Sequence, residues 1–268
     1  MFNPSQRSQR TKQIALLTIF TALYIVLRFI PFSMLIGPTG GFLSLSDFLA
    51  PIIGILLGPY FGGLTVLLGN FGAIGLGRPM TFFGFDFLPD FMATISTGFL
   101  YQNKRSKWAI VVAINAALLA IFLVNPLTSI FISWVPFTWL HIVAFGVLLS
   151  PLSLMAAKWL RTLNYRKVAV GFGLFAFIGA MIQHLTGNIL FETVLGQLTN
   201  SIPANSYAGI WTGVFLLYPV ERLILIIAAT LVGTPLLFLL NRTPALNPRS
   251  IVSEAQKINL QNEPLFDK

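Results

Sequence analysis

The sequence predicts an all-α protein, a polytopic bundle of transmembrane helices with eight spans and both termini in the cytoplasm. Three observations carry this reading. Of 268 residues, 56% are hydrophobic and only 9% are charged, and mean hydropathy is +0.81; an ordinary soluble domain carries about 25% charged residues. The apolar residues fall in runs of the length a bilayer core demands, about 20 helical residues each. Of the 17 basic residues, 14 lie in four clusters between or outside those runs: Arg7, Arg10 and Lys12; Lys104, Arg105 and Lys107; Lys158, Arg161, Arg166 and Lys167; and Arg242, Arg249, Lys257 and Lys268. If all four clusters are cytoplasmic, an even number of spans separates each from the next and the positive-inside rule holds throughout. This composition excludes a soluble enzyme and a disordered chain. The absence of cysteine excludes disulfides, thiolate chemistry and cysteine-ligated metal.

The elements follow in order. The first helix covers 14–35 and is read as retained, because its apolar length exceeds a signal core and no small-residue cleavage site follows. An external loop rich in glycine spans Gly37, Pro38, Gly40 and Gly41, and Ser46 or Asp47 is the expected N-cap of a second helix reaching Gly58. Gly58 and Pro59 break it, a third helix runs over 61–77, and a fourth starts at Pro89, a favoured first-turn position, and returns to the Lys104 cluster. Further helices are expected over 108–124, 129–160, 168–191 and 210–240, with turns at Asn125–Pro126 and 196–206. Trp134 and Trp139 fall near an outer interface, where amphipathic rings belong. Six spans result if the short second and third helices form a re-entrant pair. Residues 1–240 form a single bundle domain and 241–268 a polar cytoplasmic tail.

The net charge of +9 does not point to nucleic acid, since no aromatic residues interleave with the basic clusters; anionic lipid headgroups are the expected partners of those clusters. More informative are the charges that violate the apolar pattern, each costing roughly 2.5–3.5 kcal/mol at the centre of a span. On this topology Arg28, Asp47, Arg78, Asp86, Asp90 and Glu192 gather in the outer third or the external loops. His184, Asn188 and Glu192 share one face of the seventh helix, spaced by four, with Gly187 beside them. The alternative reading of that stripe is interhelical hydrogen bonding that sets bundle register. Glu221 and Arg222 lie deeper, near the midplane, about 100° apart around the last helix; Glu221 is expected to pair with an arginine of another helix, Arg28 or Arg78. Asp86 and Asp90 flank Pro89 and also suit loop and cap roles. His141 is expected alone at an interface, and Asn70 serves either packing or a ligand. No H-E-x-x-H, G-x-S-x-G or Walker motif is present, and the two histidines show no metal-ligand spacing; no cofactor, metal or catalytic set is implied.

The most specific stretch is GFLSLSDFLAPIIGILLGPYFGG, residues 41–63. An apolar helix entered from an external loop and ending in a Leu-Gly-Pro turn followed by small residues resembles the second and third helices of the substrate-binding S components of energy-coupling factor (ECF) vitamin transporters. The first helix, with Ala15, Thr18 and Ala22, is similar to the family's first helix, whose small-residue face docks on the coupling protein; here a threonine stands where two alanines would be expected to frame that face. The resemblance covers about residues 12–101. Eight spans exceed the family's usual number, so the second half departs from its pattern.

The resemblance implies a membrane-embedded substrate-binding subunit for uptake of a vitamin or similar small organic nutrient. A transmembrane coupling protein and cytoplasmic ATPases would energise it. The expected site is an outward-facing pocket holding a small organic ligand. Its contacts would be Arg28, Asp47, Arg78, Asp86, Asp90, His184, Asn188 and Glu192, with Phe82, Phe83 and Phe85 available for stacking. Mixed charge implies a zwitterionic or hydrogen-bond-rich ligand. Three other readings stand beside it: an autonomous secondary transporter coupled through Glu221 and Arg222; a membrane enzyme acting on lipid, with His184 and Glu192 as acid and base; and a scaffold subunit whose buried charges pair only with one another.

Overall fold

The computed structural model describes residues 4–34 and 42–243. The glycine-rich loop at Gly37–Gly41 and all but the first residues of the expected tail lie outside the described residues.

The first helix, α1 (Pro4–Arg28), stops well short of residue 35. Pro31 has no N–H to donate and disfavours helical geometry at the residue before it. The chain enters a short antiparallel pair instead, β1 (Pro31–Met34) with β2 (Phe42–Ser44), aligning Ser33 with Leu43 and Met34 with Phe42. A 3-10 turn at Leu45–Phe48 leads into α2 (Leu49–Gly75). Neither Ser46 nor Asp47 caps α2 through its side chain, because both engage the Ser44 hydroxyl.

Within α2 the backbone breaks at Gly58, where φ is +81° and ψ 176°, and Pro59 follows. A residue with a Cβ resists that φ. The helix folds back on itself here: a Cβ on Gly62 would lie 3.3 Å from the Ile53 carbonyl oxygen, whereas nine residues of straight helix rise about 13.5 Å. The break therefore brings the two distant ends of α2 to one end of the bundle, where Asp47 and Asn70 both meet Arg28. Next, α3 (Leu88–Gln102), with Pro89 in its first turn as expected, packs into this hairpin at backbone contact. A Cβ on Gly98 would stand 2.6 Å from the Pro59 nitrogen, and one on Gly54 2.3 Å from the Thr94 carbonyl oxygen. Small residues of this kind are what allow helices to approach in lipid.

Next comes α4 (Arg105–Val124), then a hairpin of β3 (Phe131–Ile132) and β4 (Val135–Pro136). The helix expected over 129–160 is thus interrupted twice. It becomes α5 (Trp139–Leu149) and α6 (Pro151–Trp159), bent by 71°. Pro151 cannot continue the ladder of α5, and Ser150 caps α6 by accepting from the Leu152 N–H. The central, largely buried α7 (Tyr165–Leu190) continues as a π-helix over Phe191–Leu198, and α8 (Tyr207–Arg242) closes the bundle.

Among the described residues, five helical stretches are long and apolar enough to cross a membrane, six if the bent α5–α6 pair counts as one span. The sequence reading separates eight. The difference lies in residues 45–75, which are continuous helix except at Gly58, and in α3, which at 15 residues is shorter than a full crossing. Exposed Leu216, Val220, Leu223, Ile227 and Leu231 form one stripe on α8, and Ile14, Ile19 and Val26 crowd the outside of α1. Apolar surface in stripes of this length faces hydrocarbon; the chain is a multi-pass membrane protein.

The bundle has two distinguishable ends. At one, the Arg161 guanidinium donates to the Tyr101 carbonyl at 2.6 Å and the Asn241 amide to the Leu160 carbonyl at 2.8 Å. These bonds tie the α3–α4 and α6–α7 connections to the end of α8. At the other end, Phe82, Phe122, Phe137, Trp211 and Tyr218 form an aromatic cluster.

Candidate ligand-binding site

Beside that aromatic cluster lies a cavity of about 110 Å³, several times the roughly 10–15 Å³ that one water needs. Its wall draws on the end of α1, the β1–β2 pair, the loop before α3, and one face each of α7 and α8. Seven of the eight expected contacts line it: Arg28, Asp47, Arg78, Asp86, Asp90, His184 and Asn188.

Arg28 is the hub of the polar floor. Its guanidinium donates to Ser44 Oγ at 3.1 Å, Asn70 Oδ1 at 3.0 Å and the Asp86 carbonyl at 2.9 Å. It also stands 3.5 Å from Asp47 and 3.7 Å from Asp90. One side chain thus ties α1 to the turn before α2, to the far half of α2, and to α3. Asp90 accepts from the Tyr24 hydroxyl and the Gln183 amide. Gln183 in turn donates to the Asp47 carbonyl at 3.3 Å and accepts from Arg222 at 3.5 Å. The network ends at Glu221, which accepts from Ser33 of β1 and lies 4.0 Å from Arg222. The expected partner of Glu221, an arginine on another helix, is therefore replaced by its own neighbour. Both residues reach the cavity despite their angular separation, because the hollow spans a broad face of α8, from Trp211 to Arg222.

Asp86 supports the wall. Its two carboxylate oxygens accept from the Thr81 and Phe82 N–H groups at 2.9 and 3.0 Å, so its loop-forming role is real even though it lines the hollow. Phe82 lines the cavity, whereas Phe83 and Phe85 are exposed to the outside and do not.

Arg78 is different. It is 7% exposed, yet its side chain makes no hydrogen bond or ion pair among the described residues, and its Nε is unpartnered there. Its guanidinium carbon sits 5.1 Å from the centre of the Phe42 ring. Burial, reinforced by the charge of Arg28, pushes its pKa down to about 10, which leaves it cationic at neutral pH.

On α7 the expected stripe holds for two residues and then fails. His184 and Asn188 face the cavity, but Glu192 does not. At Phe191 the helix widens into π geometry, which changes the rotation per residue. Phe191 then takes the lining position, and Glu192 accepts from the Thr128 hydroxyl at 2.7 Å, fully buried. His141 is not interfacial. It is fully buried, its Nε2 lies 3.1 Å from His184 Nδ1, and both rings stack with Tyr218. His141 Nδ1 has no partner. A buried bare acceptor occurs more readily than a buried orphan N–H, so His141 is assigned as the donor to His184, which leaves the proton of His184 on Nε2.

The sequence reading missed Gln183 and Trp211. Both were within reach. Gln183 stands four residues before Gly187, which widens the stripe by one row, and Trp211 lies on the Arg222 face of α8, eleven residues earlier. Among the described residues no group of three or more His, Asp or Glu is placed to hold a metal ion.

Fold and site together define a multi-pass membrane protein with a small, polar-floored binding cavity at one end of an α-helical bundle. The chain belongs to the family of substrate-specific components of ECF transporters, whose family model matches residues 12–183. A protein of Methanocaldococcus jannaschii, itself described only as uncharacterized, is 28% identical over 205 residues, which is 76% of this chain and 63% of that one. The chain thus spans less than two thirds of that relative's length. No solved structure matches.

Proposed function

We propose that this chain captures a vitamin or similar small organic nutrient for uptake and leaves energy input to a separate transmembrane coupling protein and cytoplasmic ATPases. The observation that carries the reading is the cavity, where ten polar residues scattered over the sequence from Arg28 to Asn188 meet around one hollow. Arg78 and Asn188, both on its wall, each carry a side-chain nitrogen with no partner among the described residues.

In this reading the cavity opens to the outside and both termini are cytoplasmic, with eight membrane-embedded segments counting the two halves of α2 and the short α3. The basic clusters at Lys104–Lys107 and Lys158–Lys167 support that orientation. They flank the connections joined by the Arg161–Tyr101 bond, at the end away from the cavity. The exposed face of α1 with Ala15, Thr18 and Ala22 is the docking surface for the coupling protein, since small residues let a partner helix approach closely.

The test is copurification from native membranes, with mass spectrometry of bound small molecules and proteins, followed by thermal unfolding with each compound found. A ligand at 100 times its Kd stabilises the folded state by about 2.7 kcal/mol. A vitamin and cofactor panel that leaves the melting temperature unchanged would overturn the reading. So would substrate accumulation in liposomes containing this chain alone, which would select the autonomous transporter.

A further inference from the structure

The cavity wall mixes charges of both signs, but its acids and its bases are not equally occupied. Every carboxylate on it already holds donors. Asp47 has Ser44 and Arg28; Asp90 has Tyr24, Gln183 and Arg28. Asp86 has two backbone N–H groups, and Glu221 has Ser33 and Arg222. The donors are in surplus. The Arg78 side chain makes no hydrogen bond or ion pair among the described residues, although Asp47 and Asp86 lie near enough to favour its charge, and the Nδ2 of Asn188 has no partner there. The His184 Nε2–H joins them on the tautomer derived above.

A guanidinium that is 93% buried and unpaired is costly unless something neutralises it. Its planar fork matches the two oxygens of a carboxylate or phosphate. The wall also carries apolar and aromatic residues, Phe82, Phe191, Trp211 and Val214. The geometry points to an anionic ligand that sets a carboxylate or phosphate group on Arg78 and lays an apolar, ring-bearing body against Phe191 and Trp211. A cationic ligand is disfavoured, because no carboxylate on the wall is left without a donor. This inference rests on the cavity being the substrate site and narrows the substrate's chemistry.

The experiment uses four probes that share a phenyl ring and differ in charge: benzoate, phenyl phosphate, benzamide and benzylammonium. Each is added at millimolar concentration to the purified full chain in detergent. Thermal unfolding and the fluorescence of Trp211, isolated by a Trp211→Phe control, report occupancy. The expected result is a melting shift and a fluorescence change with an anionic probe, and the stronger of benzoate and phenyl phosphate names the anion. Arg78→Gln weakens that probe about tenfold or more, whereas Arg78→Lys retains part of the effect.

Without any probe, Arg78→Gln melts no lower than the wild type, since it removes a buried charge that makes no ion pair or hydrogen bond among the described residues. A lower melting temperature for unliganded Arg78→Gln, or an anion response that survives it, overturns the inference. A response to benzamide or benzylammonium exceeding both anions also overturns it, while leaving the cavity as the binding site. No response to any of the four overturns both this inference and the role of the cavity.

Discussion

Arg28 gives the sharpest quantitative expectation. It is 6% exposed and binds two carboxylates and three further acceptors drawn from four segments of the chain. Arg28→Met keeps much of the aliphatic volume and deletes the charge, stranding Asp47 and Asp90 in the interior. Removing one partner of a buried ion pair costs about 3–5 kcal/mol. For a chain of this size each kcal/mol moves the melting temperature by roughly 2–4 °C, so the variant should melt about 6–20 °C below wild type with no ligand present. Thermal unfolding of the detergent-solubilised protein, followed by circular dichroism, measures this. A double variant, Arg28→Met with Asp90→Leu, should lose less than the two single changes summed, with a coupling of about 0.5–3 kcal/mol. An Arg28→Met protein that melts within about 2 °C of wild type would refute the assignment of Arg28 as a structural hub and leave it only a ligand contact.

Gly98→Ala forces a Cβ to 2.6 Å from the Pro59 nitrogen and should destabilise by about 1–3 kcal/mol through overpacking, read as a lower melting temperature. Gly146→Ala, where a Cβ would meet nothing within 4 Å, should be neutral or slightly stabilising in the same assay. Glu192→Gln should leave ligand affinity within about twofold of wild type, because Glu192 does not line the cavity, whereas Asn188→Leu should weaken binding by about tenfold through loss of a hydrogen-bond donor; titration of the copurified ligand separates the two. His141→Phe removes the donor to His184 Nδ1 and should weaken binding through a reoriented imidazole while Phe83→Ala, on the exposed side of its loop, changes nothing.

Much of the site was legible because charge is so expensive in lipid that each misplaced ionisable residue marks itself. Arg28, Asp47, Arg78, Asp86 and Asp90 stand out against apolar surroundings and converge on the cavity. What escaped was rotation and pairing. Periodicity of four carries His184 to Asn188 correctly, but it extends to Glu192 only if the helix stays α-helical, and no residue near Phe191 announces a π-helix. His141 reads as solitary because its partner is 43 residues away on a neighbouring helix. Helix ends were missed where proline acts at a distance. Pro31 redirects the chain after Arg28, and Pro151 with Ser150 turns one expected span into two segments. Gly58–Pro59 was recognisable as a break, since both residues disrupt a helical ladder. The expected reversal between a second and a third helix at this break agrees with the close approach of Gly62 to Ile53.

The hub at Arg28 also bears on biogenesis. Ribosomes deliver the N-terminal helix first, so this arginine reaches the bilayer before Asp90, 62 residues further on, has emerged. A lone guanidinium at the end of a helix waits at the headgroup boundary, its tip in water and its stem along the acyl chains. It can retreat inward only once the loop before α3 has been translated and Asp90 arrives. Completion of the cavity floor is therefore tied to emergence of the third helix, and nascent chains truncated before residue 90 should leave Arg28 open to water-borne reagents that full-length chains exclude.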